Sequence, residues 1–173
     1  MIMPRSNDQL LLPARPLFIA LTLLTAFALN LLPLGRQPAM PDWLAVVVVF
    51  WSVHQPRRVG LGWAFGFGLL MDVHQGALLG QHALAYALLS FVAIAVHRRL
   101  LWFGLAGQAA QILPLFLAAH GLQLLVRIVA GDAFPGWTFL LAPLLEAALW
   151  PLATVLLLAP QRRAPDPDEN RPL

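Results

Sequence analysis

The chain alternates between apolar runs and short breaks that are polar or rich in glycine and proline. Six apolar runs stand out, at residues 17–32, 43–53, 59–71, 83–96, 105–130 and 137–158. A helix needs about 20 mostly apolar residues to cross the hydrocarbon core of a bilayer. The last two runs are long enough to cross with some tilt. The second, third and fourth runs are shorter, so each is also compatible with a re-entrant segment or a buried core helix.

The break between the second and third runs decides among these alternatives because it contains Arg57 and Arg58. If the two runs formed a hairpin that entered the membrane and returned, both guanidinium groups would lie in hydrocarbon. That placement costs about 2.5 to 3.5 kcal/mol for each arginine. Two full crossings avoid this cost. The pattern therefore predicts an all-α integral membrane protein that is a helical bundle with six spans.

The composition agrees with a membrane solvent. Of the 173 residues, 60% are hydrophobic and 11% are charged, whereas an average soluble domain has about 25% charged residues. The net charge of +3 would suggest nucleic-acid binding in a soluble protein, but all the basic residues are arginines, mostly in the breaks. We therefore expect no nucleic-acid partner. The chain has no cysteine, which excludes disulfides, thiolate metal sites and thiol nucleophiles.

The arginines also predict an orientation. With the N-terminus inside, nine arginines lie on the cytoplasmic side, namely Arg5, Arg15, Arg57, Arg58, Arg98, Arg99, Arg162, Arg163 and Arg171. Only Arg36 and Arg127 lie on the outer side. Because basic residues concentrate in cytoplasmic loops, we expect a multi-pass membrane protein with both termini in the cytoplasm.

The pattern divides the chain into three segments. These are a cytoplasmic leader at residues 1–16, a six-span membrane domain at 17–159 and a disordered cytoplasmic tail at 160–173. The tail is too rich in proline and charged residues to bury the apolar area that folding requires. As an alternative, the first run could be a signal peptide, because Ala26-Phe27-Ala28 resembles a small-residue cleavage site. Its removal would leave the orientation of the other runs unchanged.

Glycines recur through the third run and the break after it. Gly62 and Gly66 have the small-xxx-small spacing that lets another helix pack closely in a membrane. Packing within the bundle is the favoured interpretation, and a partner-binding face is the alternative. Asp72, Gly76 and Gly80 follow at four-residue steps. Asp72 is expected to cap the loop at the outer surface, with an outward docking site or a ligand pocket as the alternative.

The fifth and sixth runs contain polar residues within otherwise apolar sequence. His120, Gln123 and Arg127 share one stripe of the fifth helix, and Glu146 lies at a similar depth in the sixth. A buried carboxylate is costly unless it is paired. We therefore expect these residues to face protein, and Glu146 either to pair with His120 or to be protonated.

These polar residues do not make a strong case for catalysis or for a metal site. A proton relay or a hydrolytic pair is conceivable at His120 and Glu146, but no nucleophile accompanies them. The five histidines are scattered, and none forms a metal-binding pair on one helix face. The sequence therefore predicts neither enzymatic activity nor a metal or cofactor.

Several segments together resemble one known family, the rod shape-determining MreD proteins of bacterial cell elongation. The resemblance rests on Pro41-Asp42-Trp43-Leu44, Trp51, Pro56-Arg57-Arg58-Val59-Gly60, Gly68-Leu69-Leu70-Met71-Asp72, Gly76, Leu79-Gly80-Gln81-His82-Ala83-Leu84-Ala85-Tyr86 and Leu149-Trp150-Pro151. It is strongest between residues 41 and 100 and weaker in the fifth run. Asp72, Gly76 and Gly80 are carried over only as motif positions, and no catalytic residue is implied.

The resemblance implies a non-enzymatic scaffold in the bacterial inner membrane with MreC as its principal partner. Other implied members of the complex are the actin-like MreB filament, the elongation glycan polymerase and its penicillin-binding transpeptidase. The implied role is to coordinate lateral peptidoglycan synthesis and rod shape. The family is also considered similar in fold to the substrate-binding membrane components of energy-coupling-factor transporters. A small-molecule-binding transporter subunit is therefore the alternative function, which the helix-breaking Pro114, Pro143 and Pro151 make conceivable.

Overall fold

A computed structural model describes residues 14–32 and 39–161, and all the regular secondary structure in this part of the chain is helical. The α-helices are α1 (Pro16–Leu31), α2 (Trp43–His54), α3 (Leu61–Gln75), α4 (Gln81–Leu100), α5 (Leu105–Val129) and α6 (Leu141–Leu158). Short 3₁₀ helices precede and follow α6, at Trp137–Leu140 and Ala159–Gln161. Each of the six predicted apolar runs contains one α-helix, so the all-α prediction is confirmed.

Helix α2 lies at the centre of the bundle. It packs against α1, α4 and α6, and every residue from Leu44 to Val53 except Val47 is buried. Its 12 residues extend about 18 Å, which is shorter than the hydrocarbon core of a bilayer. Neighbouring helices surround α2, so its length need not match the thickness of the membrane.

The helices after α2 form two antiparallel hairpins, and α4 and α6 contact α2 directly. Helices α3 and α4 form one hairpin, α5 and α6 form a second, and α4 also packs against α5. The α3–α4 contact is close because Gly68 lies against the backbone of Ala83. A Cβ atom built on Gly68 would come within 2.4 Å of the Cα of Ala83. Helix α1 packs mainly on α2 and lies at the edge of the bundle.

The outer faces of the helices suit a lipid environment. Large apolar side chains, including Leu70, Phe91, Leu125 and Leu152, are exposed outside the bundle. Within the described residues, three helical segments have the length and hydropathy of a membrane span, namely Gln81–Leu100, Leu105–Val129 and Trp137–Gln161. Helices α1 and α2 are apolar but shorter. These features indicate a membrane-embedded bundle, and the number of crossings stays a prediction.

The arginine doublets lie at one end of the bundle, which we call the arginine end. Arg57 and Arg58 lie in the α2–α3 loop, and the Nη1 of Arg58 donates to the carbonyl oxygen of Ala14 at 2.7 Å. Arg98 and Arg99 lie in the last turn of α4. Helix α4 runs antiparallel to α3, so its last turn is at the same end as the start of α3. We call the opposite end, where α2 begins and α3 joins α4, the polar end.

Parts of the predicted leader and tail lie outside the described residues. These parts are residues 1–13 of the leader and 162–173 of the tail, and residues 33–38 after α1 also lie outside. The predicted positions of Arg5, Arg36, Arg162, Arg163 and Arg171 therefore stay predictions.

Candidate functional site

Asp72 joins the end of α3 to the start of α4. Its carboxylate is fully buried and accepts hydrogen bonds from the backbone N–H of Gly80 at 2.8 Å and of His82 at 2.7 Å. The Nδ1 of His82 lies 2.8 Å from the same carboxylate. An acidic side chain that accepts from the first N–H groups of a helix stabilises that helix end. Asp72 therefore caps α4, the helix that follows it, across the loop.

Two glycines shape the loop that Asp72 closes. Gly76 ends α3 in the left-handed region, with a φ of 62°, and Gly80 precedes α4 with a φ of 103°. Residues with side chains rarely adopt such angles. The backbone N–H of Ala77 also donates to the carbonyl oxygen of Asp72 at 3.0 Å. The predicted group of Asp72, Gly76 and Gly80 thus forms one tight turn at the polar end.

The interpretation that Gly62 and Gly66 pack inside the bundle is wrong for the described residues. Both glycines are exposed, and a Cβ atom built on either one meets nothing within 4 Å. Helix α3 instead turns the face with Ala64, Gly68 and Met71 toward its neighbours. Residues 64, 68 and 71 follow helical periodicity, whereas Gly62 and Gly66 lie on another side. Gly68 is the glycine that permits close packing.

Asp42, which is half-buried, is the centre of a largely buried polar cluster that the sequence did not predict. It caps the first turn of α2, since its Oδ1 accepts from the backbone N–H of Ala45 at 3.0 Å. The same oxygen accepts from the Nδ2 of Asn30 at 2.7 Å, and the Tyr86 hydroxyl donates to Oδ2. The Oδ1 of Asn30 accepts from the backbone N–H of Trp43 at 3.1 Å. Polar contacts therefore join α1, α2 and α4 at the polar end.

Glu146 and His120 extend this cluster to α5 and α6. The Oε1 of Glu146 accepts from the backbone N–H of Asp42 at 3.0 Å and lies 3.5 Å from the Nε2 of His120. Both side chains are buried, Glu146 completely. The structure thus brings together His120 and Glu146, which the sequence places at a similar depth in neighbouring helices. Asn30, Asp42, Tyr86, His120 and Glu146 are called the buried polar cluster below.

The other two residues of the predicted stripe on α5 lie in different surroundings. Gln123 is buried. The expectation that Arg127 faces the bundle is wrong, because its Nε lies 3.8 Å from the Oδ2 of the exposed Asp132. The physical reason is its place in the last turn of α5, where a long side chain can keep its charged group at the polar surface and avoid the free-energy cost of burying it.

Sequence signals for the missed residues are present but weak. Asp42 follows a proline and precedes an apolar run, a pattern that is typical of a helix N-cap. Tyr86 is the single tyrosine of the chain, and a buried tyrosine hydroxyl needs a partner. Asn30 is an amide at the end of a run that is otherwise apolar. No spacing along the sequence relates these three residues to one another.

An apolar trough runs along the outside of α2 between α1 and α6. Its volume is about 470 Å³, and its walls include Leu21, Ala26, Val46, Leu149 and Leu156. Thr22 and Thr25 also line it, but their hydroxyls donate to carbonyl oxygens of α1 itself, at 2.9 and 2.8 Å. The trough therefore presents almost only hydrocarbon.

Neither the buried polar cluster nor the α3–α4 turn resembles a metal centre. Within residues 14–32 and 39–161, no three His, Asp or Glu side chains are placed to hold one metal ion. The carboxylates of Asp42 and Asp72 accept from N–H and O–H donors, and the Oε1 of Glu146 accepts from the backbone N–H of Asp42. These contacts hold the helices together at the polar end.

Comparison with known proteins identifies the family. The family model described as rod shape-determining protein MreD matches residues 11–159. A protein of Haemophilus influenzae named rod shape-determining protein MreD is 30% identical over 138 residues, covering 76% of this chain and 83% of the relative. No solved structure matches the chain. The family match covers nearly all of the helical bundle, so the chain belongs to the MreD family of rod shape-determining proteins.

Proposed function

We propose that this protein is a non-enzymatic scaffold of the cell-elongation complex in the bacterial inner membrane. Its principal partner is MreC, with MreB, the glycan polymerase and the penicillin-binding transpeptidase as further members of the complex. In this role it helps to coordinate lateral peptidoglycan synthesis. Membership of a family that determines rod shape carries the proposal. The use of the Asp42 and Asp72 carboxylates in contacts between helices supports it, because those groups stabilise the fold.

The proposed contact surface for MreC is the face of α3 that bears Gly62 and Gly66. Lipid supplies no hydrophobic force between helices, so association depends on close fit, which small residues allow. The two glycines lie one turn apart on an uncovered face, and the large exposed side chains of Trp63 and Phe65 stand beside them. A transmembrane helix of MreC could approach the α3 backbone here.

Leucine at both glycines should weaken the recovery of MreC. In a Gly62→Leu and Gly66→Leu double variant, two bulky side chains would hold a partner helix away from the α3 backbone. We expect at least about a tenfold loss of binding, equivalent to about 1.4 kcal/mol. The measurement is the amount of MreC that co-purifies with the variant from membranes, together with cell shape in a strain that lacks the native protein.

Gly121→Leu is the matched control for this experiment. Gly121 is also an exposed glycine within a helix, and a Cβ atom there meets nothing within 4 Å. It lies on α5, away from the proposed surface, so this variant should retain MreC and rod shape. Full recovery of MreC and normal rods in the double variant would show that this face of α3 is not the contact.

We also propose that the six helices make six crossings, with the arginine end in the cytoplasm. The excess of arginines at one end supports this orientation. The likeness in fold to energy-coupling-factor components stays a prediction. So does the transporter alternative, which requires a saturable ligand. The trough offers little for a polar solute, because ligand sites combine apolar walls with a few placed polar groups.

A further inference from the structure

The carboxyl group of Glu146 has fewer polar contacts than a buried carboxylate requires. The side chain is completely buried. Its Oε1 accepts one hydrogen bond, from the backbone N–H of Asp42, and among the described residues its Oε2 has no hydrogen-bond partner. An ionised carboxylate without water or several donors is very costly in a protein interior. The group therefore needs either a proton or a cation beside it.

The hydrogen bonding of His120 shows where such a proton is needed. The Nδ1 of His120 lies 3.0 Å from the carbonyl oxygen of Phe116. A carbonyl oxygen can only accept, so Nδ1 carries a hydrogen. In a neutral imidazole the other nitrogen, Nε2, is then an acceptor, and it lies 3.5 Å from the Oε1 of Glu146. Two buried acceptors that face each other repel unless one of them is protonated.

Neighbouring groups on the other helices supply no positive charge to Glu146. From α2, Asp42 adds a second carboxylate, and from α4 the Tyr86 hydroxyl donates to Asp42 and not to Glu146. At the α3–α4 turn, Asp72 and His82 contact each other. On α5, Arg127 is paired with Asp132 at the surface. Among the described residues, His120 is the one basic group within 4 Å of Glu146.

We propose that Glu146 and His120 form a proton-binding site that holds one proton when α6 is packed against the start of α2 at the polar end. The proton makes the pair neutral, either as a carboxylic acid beside imidazole or as a carboxylate beside imidazolium. Without it, the carboxylates of Glu146 and Asp42 repel each other, and α6 separates from the start of α2. The stability of the folded bundle therefore depends on proton concentration.

The sign of the pH dependence follows from counting protons. In an unfolded chain above about pH 7, glutamate is ionised and histidine is neutral, so the pair holds no proton. The folded protein holds one. Stability falls with rising pH wherever the folded state binds more protons than the unfolded state. The unfolding equilibrium constant in detergent should therefore rise about tenfold per pH unit between about pH 7 and 9.

Glu146→Gln tests the site because an amide imitates the neutral acid. Its oxygen can still accept from the N–H of Asp42 at the position of Oε1, and the amide carries no charge and binds no proton in this pH range. We expect this variant to fold and to lose the alkaline dependence. Asp132→Asn is the control, since Asp132 is an exposed carboxylate, and it should keep the wild-type slope. An equal slope in wild type and Glu146→Gln would overturn the proposal.

Spectroscopy of the intact protein tests the same site even if the glutamine variant does not fold. Glu169 is the second of only two glutamates, so a Glu169→Gln protein with isotope-labelled glutamate reports on Glu146 alone. At neutral pH we expect either the infrared carbonyl stretch of a carboxylic acid from the labelled glutamate or, in protein with ¹⁵N-labelled histidine, the signals of an imidazolium at His120. An ionised carboxylate together with a neutral imidazole would contradict the proposed proton.

Discussion

Replacing Asp72 with alanine is expected to destabilise the protein by about 3 to 5 kcal/mol, the range for removing one partner of a buried charged group. The substitution leaves the backbone N–H groups of Gly80 and His82 without an acceptor at a buried helix start. It also removes the partner of the His82 ring. The free energy of unfolding in detergent, measured with a denaturing detergent or urea, is the direct test.

Asp132→Ala is the control for the Asp72 variant, because Asp132 is an exposed acidic residue at a helix end. Its loss should change stability by less than about 0.5 kcal/mol. Asp72→Asn should lie between the wild type and Asp72→Ala, because its carbonyl oxygen can still accept from one side. If Asp72→Ala stayed within about 1 kcal/mol of the wild type, the proposed cap of α4 would contribute little.

Leucine in place of Gly68 is expected to separate α3 from α4. A Cβ atom at this position would lie 2.4 Å from the Cα of Ala83 and 2.7 Å from the carbonyl oxygen of His82, so the backbones must move apart. Overpacking of a well-packed interior costs about 1 to 3 kcal/mol and occasionally more. Because backbone atoms cannot rotate away as side chains do, we expect at least about 3 kcal/mol, again as a change in the free energy of unfolding.

Gly66→Leu is the matched control, two residues away on the same helix. A Cβ atom on Gly66 meets nothing within 4 Å, and leucine favours helix more than glycine does. The isolated protein should therefore be as stable as the wild type or slightly more so. A loss of stability equal to that of Gly68→Leu would show that α3 is turned differently in the bundle. The pair of variants thus separates packing within the protein from contact with a partner.

The apolar runs predicted which segments are helical but not where the helices end. The fourth run was predicted to end at residue 96, whereas α4 continues through Arg98 and Arg99 to Leu100. The third run was predicted to end at residue 71, whereas α3 continues to Gln75 and ends at the left-handed Gly76. Helices continue past hydrocarbon when their last turns are polar, so hydrophobicity alone underestimates their length.

Within the candidate site, only the contact between His120 and Glu146 was predicted, and these two residues lie on helices that follow each other along the chain. Helices α5 and α6 are joined by a short connection, so counting residues from it placed His120 and Glu146 at one depth. Asp42 and Tyr86 come from helices whose packing order is not evident in the sequence, so their contact was not predicted. The rotation of α3 about its axis was also not predictable. Its glycines lie on two faces, one with Gly62 and Gly66 and one with Gly68, and only the packing against α4 shows that the Gly68 face is buried.

Labelling of single cysteines tests the central claim, that the bundle crosses the membrane with its arginine end in the cytoplasm and its polar end outside. The chain has no cysteine, so each variant carries one thiol. Arg57 and His74 are exposed at opposite ends. In intact spheroplasts, a membrane-impermeant maleimide should label His74→Cys at once and Arg57→Cys only after permeabilisation. Labelling of Arg57→Cys in intact spheroplasts, with protection of His74→Cys, would contradict the account.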